Sequence, residues 1–424
     1  MTQPVQAERR GASTPRRAAN GVGRARRLRP ALTTTLLALG LLALILIPRL
    51  NELDALVTPD EPLWVARSAN FYQALSSGNL EQTYQFVHPG VPVMWLGTLA
   101  YRITRPDLPE QTGGQVETRG DHLRDVLTAD GDSMVDVLVD LRTAVTIFSA
   151  LVLLGLFFCL IPLVGRWSAA ATVAFIAVDP MHIGFTRLLH LDGLSTNLLL
   201  VSVVAFCVYQ QRSSRGILII SGVAAGVAVL TRSANGVLAP LVAMLAGADI
   251  ALAWWRDREP AAVRMMARRD LIALLGWGAA AFGPTIALWP AMWVAPIDTF
   301  SAMWNGGLDL ASDPHTRQLL FRGEVTTEDP GWAYYPVVLA YRISPLALVG
   351  LGFAVVMSLL PATRGGELNR RLCFNLALFA GAYIVILSLA AKKLDRYLLP
   401  SLGALDIIAV LGWIAFARWI TRRL

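Results

Sequence analysis

Long apolar runs separated by short polar loops organise this chain. Ten of them, at 31–48, 139–164, 167–187, 193–210, 216–231, 236–255, 271–291, 343–361, 374–391 and 398–417, match or approach the ~20 apolar residues that a membrane-crossing helix needs. The run GVPVMWLGTLAYRI at 90–103 is shorter, and fits an interfacial or re-entrant helix better than a span. Two long segments, 49–138 and 292–342, remain outside the bundle, and loops of that length commonly carry function. In the first, Trp64, Phe71, Tyr72 and Leu75 recur at helical spacing. This predicts a helix with its apolar face on the membrane surface, stopped at Gly78. It begins at TPDEPLW, residues 58–64, where Thr58 and Glu61 fit a capping box and Pro62 a tolerated first-turn position. The adjacent carboxylates Asp60 and Glu61 therefore have a structural explanation before any chemical one.

Composition agrees with this pattern. The 424 residues are 55% hydrophobic and 16% charged, against about 25% charged in an average soluble chain. The expected fold is an all-α polytopic membrane protein of about ten transmembrane helices, with interfacial helices in the long first loop. Cys159, Cys207 and Cys373 lie in or at the ends of apolar runs, which gives neither a disulfide framework nor a thiolate metal cluster. The net charge of +7 sits in short clusters between apolar runs, a topological pattern that excludes nucleic acid as a partner.

Charge also sets the sidedness. With ten spans, one side receives 22 of the 37 Lys and Arg residues and only six acids. That side is cytoplasmic by the positive-inside rule, and it holds both termini. Counting 90–103 as a span would put the later basic loops on the wrong side. Residues 1–30, with eight arginines, read as a disordered basic cytoplasmic tail, and 31–424 as the transmembrane domain. The run at 31–48 is expected to stay as the first span, because no small-x-small cleavage site follows it.

Both long segments then face away from the cytoplasm, and polar groups gather at that level. Asp60-Glu61 and His88-Pro89-Gly90 lie in the first. FTRLLHLDG at 185–193 places Arg187 and His190 three apart on one expected helical face, with Asp192 opening the next loop. Arg232 follows Thr231 at the end of the fifth span. In KKLDRYLLP at 392–400, Lys392, Lys393 and Arg396 form one cationic patch if that stretch is helical. Singly, each has a bland reading as a snorkelling cation, a helix cap or an interface residue. Together they suit sugar transfer from a lipid phosphate. That reaction needs a carboxylate base for the incoming hydroxyl and cations around the departing phosphate, with no second carboxyl group to protonate the leaving group.

The order of these features, Asp60-Glu61, His88-Pro89, Arg187 and Asp192, Thr231-Arg232, then K-x-x-R-Y-L-L-P at 393–400, resembles the GT-C glycosyltransferases. Within them it is most similar to the protein O-mannosyltransferases and the lipid A aminoarabinose transferases. The resemblance implies an inverting transfer from a polyprenyl-phosphate-linked sugar to a glycan, lipid or protein hydroxyl, at the extracytoplasmic face of the plasma (inner) membrane. It makes Asp60 the catalytic base, with Glu61 beside it and Asp192 as the second acidic position. Arg187, Arg232, Lys392, Lys393, Arg396 and Tyr397 become the donor-phosphate group. His88 and His190 become donor or acceptor contacts, as do Trp304, His315, Trp332 and Tyr335 of the second long segment. An Arg at 232 departs from the family's frequent Lys, keeping the charge and changing its geometry. The family divides over metal, and Asp60 and Asp192 are the carboxylates that would hold Mg or Mn. With the last span ending near Leu424, the β-trefoil domain of eukaryotic protein mannosyltransferases is expected to be absent, which counts against a protein acceptor. A transporter or flippase of lipid-linked sugars, for which Asp406 is the one intramembrane acid, and a surface polysaccharide polymerase or ligase are the alternatives.

Overall fold

The computed structural model describes residues 19–129, 131–257, 259–312, 318–360 and 368–424. Helix α1 (Ala19–Leu50) starts well before its apolar run, because Ala, Arg and Leu all favour helix; its first turns lie in the segment expected to be a disordered tail. The first long segment folds as α2 (Glu61–Ser77), a 3-10 turn at Leu80–Thr83, α3 (Val91–Thr104), α4 (Leu108–Thr112) and α5 (Asp121–Thr128). Next come α6 (Met134–Val164), α7 (Arg166–Val178), α8 (Pro180–Thr186), α9 (Leu191–Arg212) and α10 (Arg215–Thr231). They are followed by α11 (Leu238–Asp257) and α12 (Pro260–Leu288). The second long segment carries α13 (Ala291–Val294), α14 (Pro296–Ser312), strands β1 (Leu319–Phe321) and β2 (Glu324–Thr326), and α15 (Tyr334–Arg342). Helices α16 (Pro345–Leu359), α17 (Arg370–Leu389) and α18 (Leu399–Thr421) complete the described chain.

Among the described residues, seven helices are long and apolar enough to cross a membrane, or nine if the bent pairs α7–α8 and α15–α16 each count as one span; α10 is a shorter apolar helix. Over the described residues, each of the ten expected runs is thus mainly helical, and the protein is a predominantly α-helical multi-pass membrane protein. Helix α9 is buried along its whole apolar window and α18 along 83% of its own, against 11% for α1. The first two form the middle of the bundle and α1 lies at its edge. Where α10 crosses α12, a Cβ at Gly226 would stand 2.0 Å from the Ala281 carbonyl oxygen, so glycine there lets the two backbones meet.

Four local expectations change. The face of α2 bearing Trp64, Phe71 and Tyr72 is buried in protein rather than laid on a membrane, since α3 and α4 fold back over it and Phe71 meets Trp95 edge-on at 5.3 Å. The run at 167–187 is broken by 72°, because Asp179 accepts from the His182 backbone N–H at 2.8 Å and Pro180 opens a new helix. Arg187 and His190 consequently share no helical face, and Asp192 sits in the first turn of α9 rather than opening a loop. Residues 391–394 are not helical and 395–398 form a 3-10 turn, so Lys392, Lys393 and Arg396 do not form one patch. The hairpin of β1 and β2 is an addition; Arg322 and Gly323 at its tip both have positive φ, as a two-residue hairpin turn requires.

A buried ion pair ties the first long segment to the bundle. Arg142 of α6 donates to both Glu61 oxygens, at 2.7 and 2.5 Å. It also donates to the carbonyls of Leu53 and Leu56. Glu61 further accepts from the Leu189 N–H at 3.0 Å and from Thr58 N and Oγ1 at 2.8 and 2.9 Å. Burial alone would raise the Glu61 carboxyl, but Arg142 and the backbone donors hold it below its ordinary value. Arg142→Met leaves a buried carboxylate unpaired and is expected to cost about 3–5 kcal/mol, read as a lower melting temperature in detergent. Adding Glu61→Leu to it should recover part of that loss.

Candidate active site

The Thr58–Glu61 exchange leaves the Asp60 side chain out of the cap: Asp60 takes the N-cap position without a side-chain capping bond. Its Oδ2 instead meets His190 Nε2 and Arg396 Nη2, each at 3.0 Å. His190 occupies the N-cap position of α9, and its Nδ1 lies 3.0 Å from Asp192 Oδ2, which Arg396 Nε also approaches at 3.1 Å. Two carboxylates and two cations therefore alternate in a closed ring, Asp60, His190, Asp192, Arg396. Arg232, at the end of α10, pairs with Asp192 Oδ1 from outside the ring and lies over the Tyr397 ring at 3.9 Å.

This quartet lines a pocket of about 150 Å³ with Trp64, Arg67, Phe86, His88, Leu310, Lys392 and Tyr397 among its walls. Arg67, Arg232, Lys392 and Arg396 outnumber the two carboxylates, so the pocket is cationic before His190 is counted. The hydrogen bond from His190, foremost, and the charges of His190 and Arg396 hold the Asp60 carboxyl well below the usual range against burial. Burial opposes the charge of His190, but Asp192 and Asp60 outweigh it and raise its pKa. A carboxylate facing each ring nitrogen suits an imidazolium donating from both. Burial, helped by Arg232, lowers His88 to about 3, so that ring is neutral at pH 7, 2.8 Å from Ser233 Oγ. Gly90, at φ +61, holds this strip: its N–H donates to the Thr231 carbonyl, and a Cβ would stand 2.1 Å from the Trp64 ring.

Other expected residues lie elsewhere. Glu61 is fully buried behind the pocket on Arg142. Arg187 lines a separate cavity of about 790 Å³ and donates to the Asn51 and Glu52 carbonyls. Lys393 is fully buried and turned away, with Nζ 2.6 Å from Asp329 Oδ1. Trp304 and Trp332 are exposed, and Tyr335 belongs to a small core with Leu398 and Leu402. His315 lies outside the described residues. Arg67, which stacks on Trp64 and Phe86, is a pocket residue outside the sequence expectations. The signal was its spacing, since Asp60, Trp64 and Arg67 fall at i, i+4 and i+7 on one helix face.

The donor set does not suit Mg or Mn. Such ions require several oxygen ligands, whereas the nearest oxygens of Asp60 and Asp192 already share one guanidinium. Among the described residues no group of three or more His, Cys, Asp or Glu could hold a metal.

Structures of ArnT from Cupriavidus metallidurans in the apo state (TM-score 0.52, 16% identity, 91% of this chain and 60% of that one) and of the Archaeoglobus fulgidus oligosaccharyltransferase in the apo form (TM-score 0.52, 13% identity, 92% and 51%) share its architecture. The chain has the GT-C fold. Its GT-C core thus spans little more than half the length of these solved relatives. Residues 134–268, which carry His190, Asp192 and Arg232, match the family model described as dolichyl-phosphate-mannose-protein mannosyltransferase. No curated protein matches by sequence.

His190 gives this site a pH signature. A group whose folded pKa is raised stabilises fully below its unfolded value, about 6.5, and that contribution fades as pH rises through the folded value. His190→Gln should therefore cost about 2 kcal/mol at pH 6 and less at pH 9, measured as melting temperatures in detergent.

Proposed function

We propose that this chain is a membrane glycosyltransferase that moves a sugar from a polyprenyl-phosphate-linked donor to a hydroxyl acceptor by inverting displacement. The observation that carries the reading is the quartet: one carboxylate, Asp60, held by two cations at the edge of a cationic pocket. The donor's phosphate enters among Arg232, Lys392 and Arg396. Asp60 takes the acceptor's hydroxyl proton as the acceptor oxygen bonds to the anomeric carbon. The bond from that carbon to the phosphate oxygen breaks, and the lipid phosphate leaves as an anion held by those cations. No metal is needed to balance its charge. An Archaeoglobus fulgidus AglB structure of the same fold, in complex with an inhibitory peptide and a dolichol-phosphate (TM-score 0.52, 13% identity, 92% of this chain and 52% of that one), supports a lipid-phosphate ligand. The basic loops support a plasma membrane protein with both termini cytoplasmic and the pocket on the opposite face.

The test is transfer from labelled polyprenyl-phosphate sugars in membranes or nanodiscs. Asp60→Asn should lower the rate by about 10² to 10⁴, the scale of general base catalysis, with donor binding retained and with EDTA leaving wild-type activity intact. Full activity of Asp60→Asn would remove the base. Cysteine labelling that places residue 60 in the cytoplasm would overturn the sidedness.

A further inference from the structure

Residues 392–396 run as a strip with two faces. Lys392, Leu394 and Arg396 line the cationic pocket, while Lys393 and Asp395 point behind it. On that rear side three consecutive residues are tied to the second long segment. Lys393 Nζ donates to Asp329 Oδ1 at 2.6 Å. The Leu394 N–H reaches Tyr335 Oη at 3.4 Å, and the Asp395 carboxylate pairs with Arg342. The other Asp395 oxygen accepts from the Arg396 N–H at 2.7 Å, so what fixes Asp395 also fixes the backbone that aims Arg396. Leu394 is extended, at φ −142 and ψ 144. Residues 392–394 are not helical, and the first bond of the following 3-10 turn runs from the Tyr397 N–H to the Leu394 carbonyl at 3.2 Å, so the facing of Lys392 depends chiefly on the rear ties.

We propose that Asp329 and Arg342 are positioning residues: the second long segment clamps the strip from behind, so that Lys392 and Arg396 grip phosphate only while that segment is docked. The chemistry favours this over simple packing. A buried salt bridge is a poor stabiliser compared with apolar side chains, yet Lys393 is fully buried on an Asp329 that is 41% exposed. The partner that completes the charge thus belongs to the surface loop rather than to the bundle. Asp329 is held in turn by the Gly331 N–H at 2.9 Å, and Leu310 of the same segment reaches the pocket wall. This clamp rests on the proposed phosphate pocket and makes the loop part of its affinity.

The experiment measures binding of a short-chain polyprenyl monophosphate, together with kcat and KM, in nanodiscs. Asp329→Asn and Arg342→Met should each weaken binding and raise KM by about tenfold, with a smaller change in kcat; Arg396→Ala serves as the control. If Arg396→Ala loses affinity while both clamp variants bind like wild type, the clamp is overturned and the phosphate pocket stands. Unchanged affinity in Arg396→Ala overturns the pocket itself. Should Asp329→Asn also melt early, Asp329→Asn with Lys393→Met removes the orphaned buried charge. Recovered melting with affinity still weak supports positioning, and recovery of both overturns it.

Discussion

The Glu61–Arg142 pair is the constraint on which the site depends. Withdrawing both charges from water costs several kcal/mol for each, and the pair persists because its remaining groups are filled, with Arg142 on the Leu53 and Leu56 carbonyls and Glu61 on Thr58 and the Leu189 N–H. The contacts span three separate stretches, 53–61, 142 and 189, and so lock the approach to α2, the side of α6 and the strip before α9 into one block. Asp60 and His190 each stand one residue from an anchored neighbour, Glu61 and Leu189. Their 3.0 Å contact is inherited from the block.

Together with the strip at 392–396, the same block separates two cavities. Thr58, Leu188 and Asp395 face the larger one, while Asp60, His190 and Arg396 face the cationic pocket. Non-helical strips suit such a wall, because near neighbours such as Thr58 and Asp60, or Leu188 and His190, turn to opposite sides of it. Both helix breaks, at Asp179-Pro180 and at Ser344-Pro345, also line the larger cavity. Irregular backbone at the level of a membrane bundle is tolerated where it lines a cavity.

The architecture was legible because apolar length is a strong signal: all ten runs are mainly helical, and α2 ends at Gly78 in the left-handed conformation. Sidedness of packing was not. An amphipathic stripe such as Trp64, Phe71 and Tyr72 reads the same against lipid as against protein, and only the return of α3 and α4 decides between them. The break inside 167–187 was written in the sequence as Asp179-Pro180, since proline disfavours helix at the preceding residue, but the apolar run masked it. For the site, Asp60, His190, Asp192, Arg232 and Arg396 do converge. Lys393 does not, because tertiary pairing with Asp329 overrides the helical spacing that grouped it with Arg396. Arg187 fails for a related reason, as the break at Asp179 turned its side chain to the neighbouring cavity.

A carboxylate held below its usual pKa is a poor base, and the quartet addresses that difficulty directly. Arg396 divides its guanidinium between Asp60 and Asp192, and on the proposed reaction an arriving phosphate competes for it. Any share of Arg396 that moves to phosphate is withdrawn from Asp60, whose proton affinity rises as one of the charges opposing protonation is drawn off. Asp192 has Arg232 as a second partner and Asp60 does not, so on that reading the loss of Arg396 falls mainly on Asp60. On the proposed reaction, the ring thereby links donor binding to the basicity of Asp60.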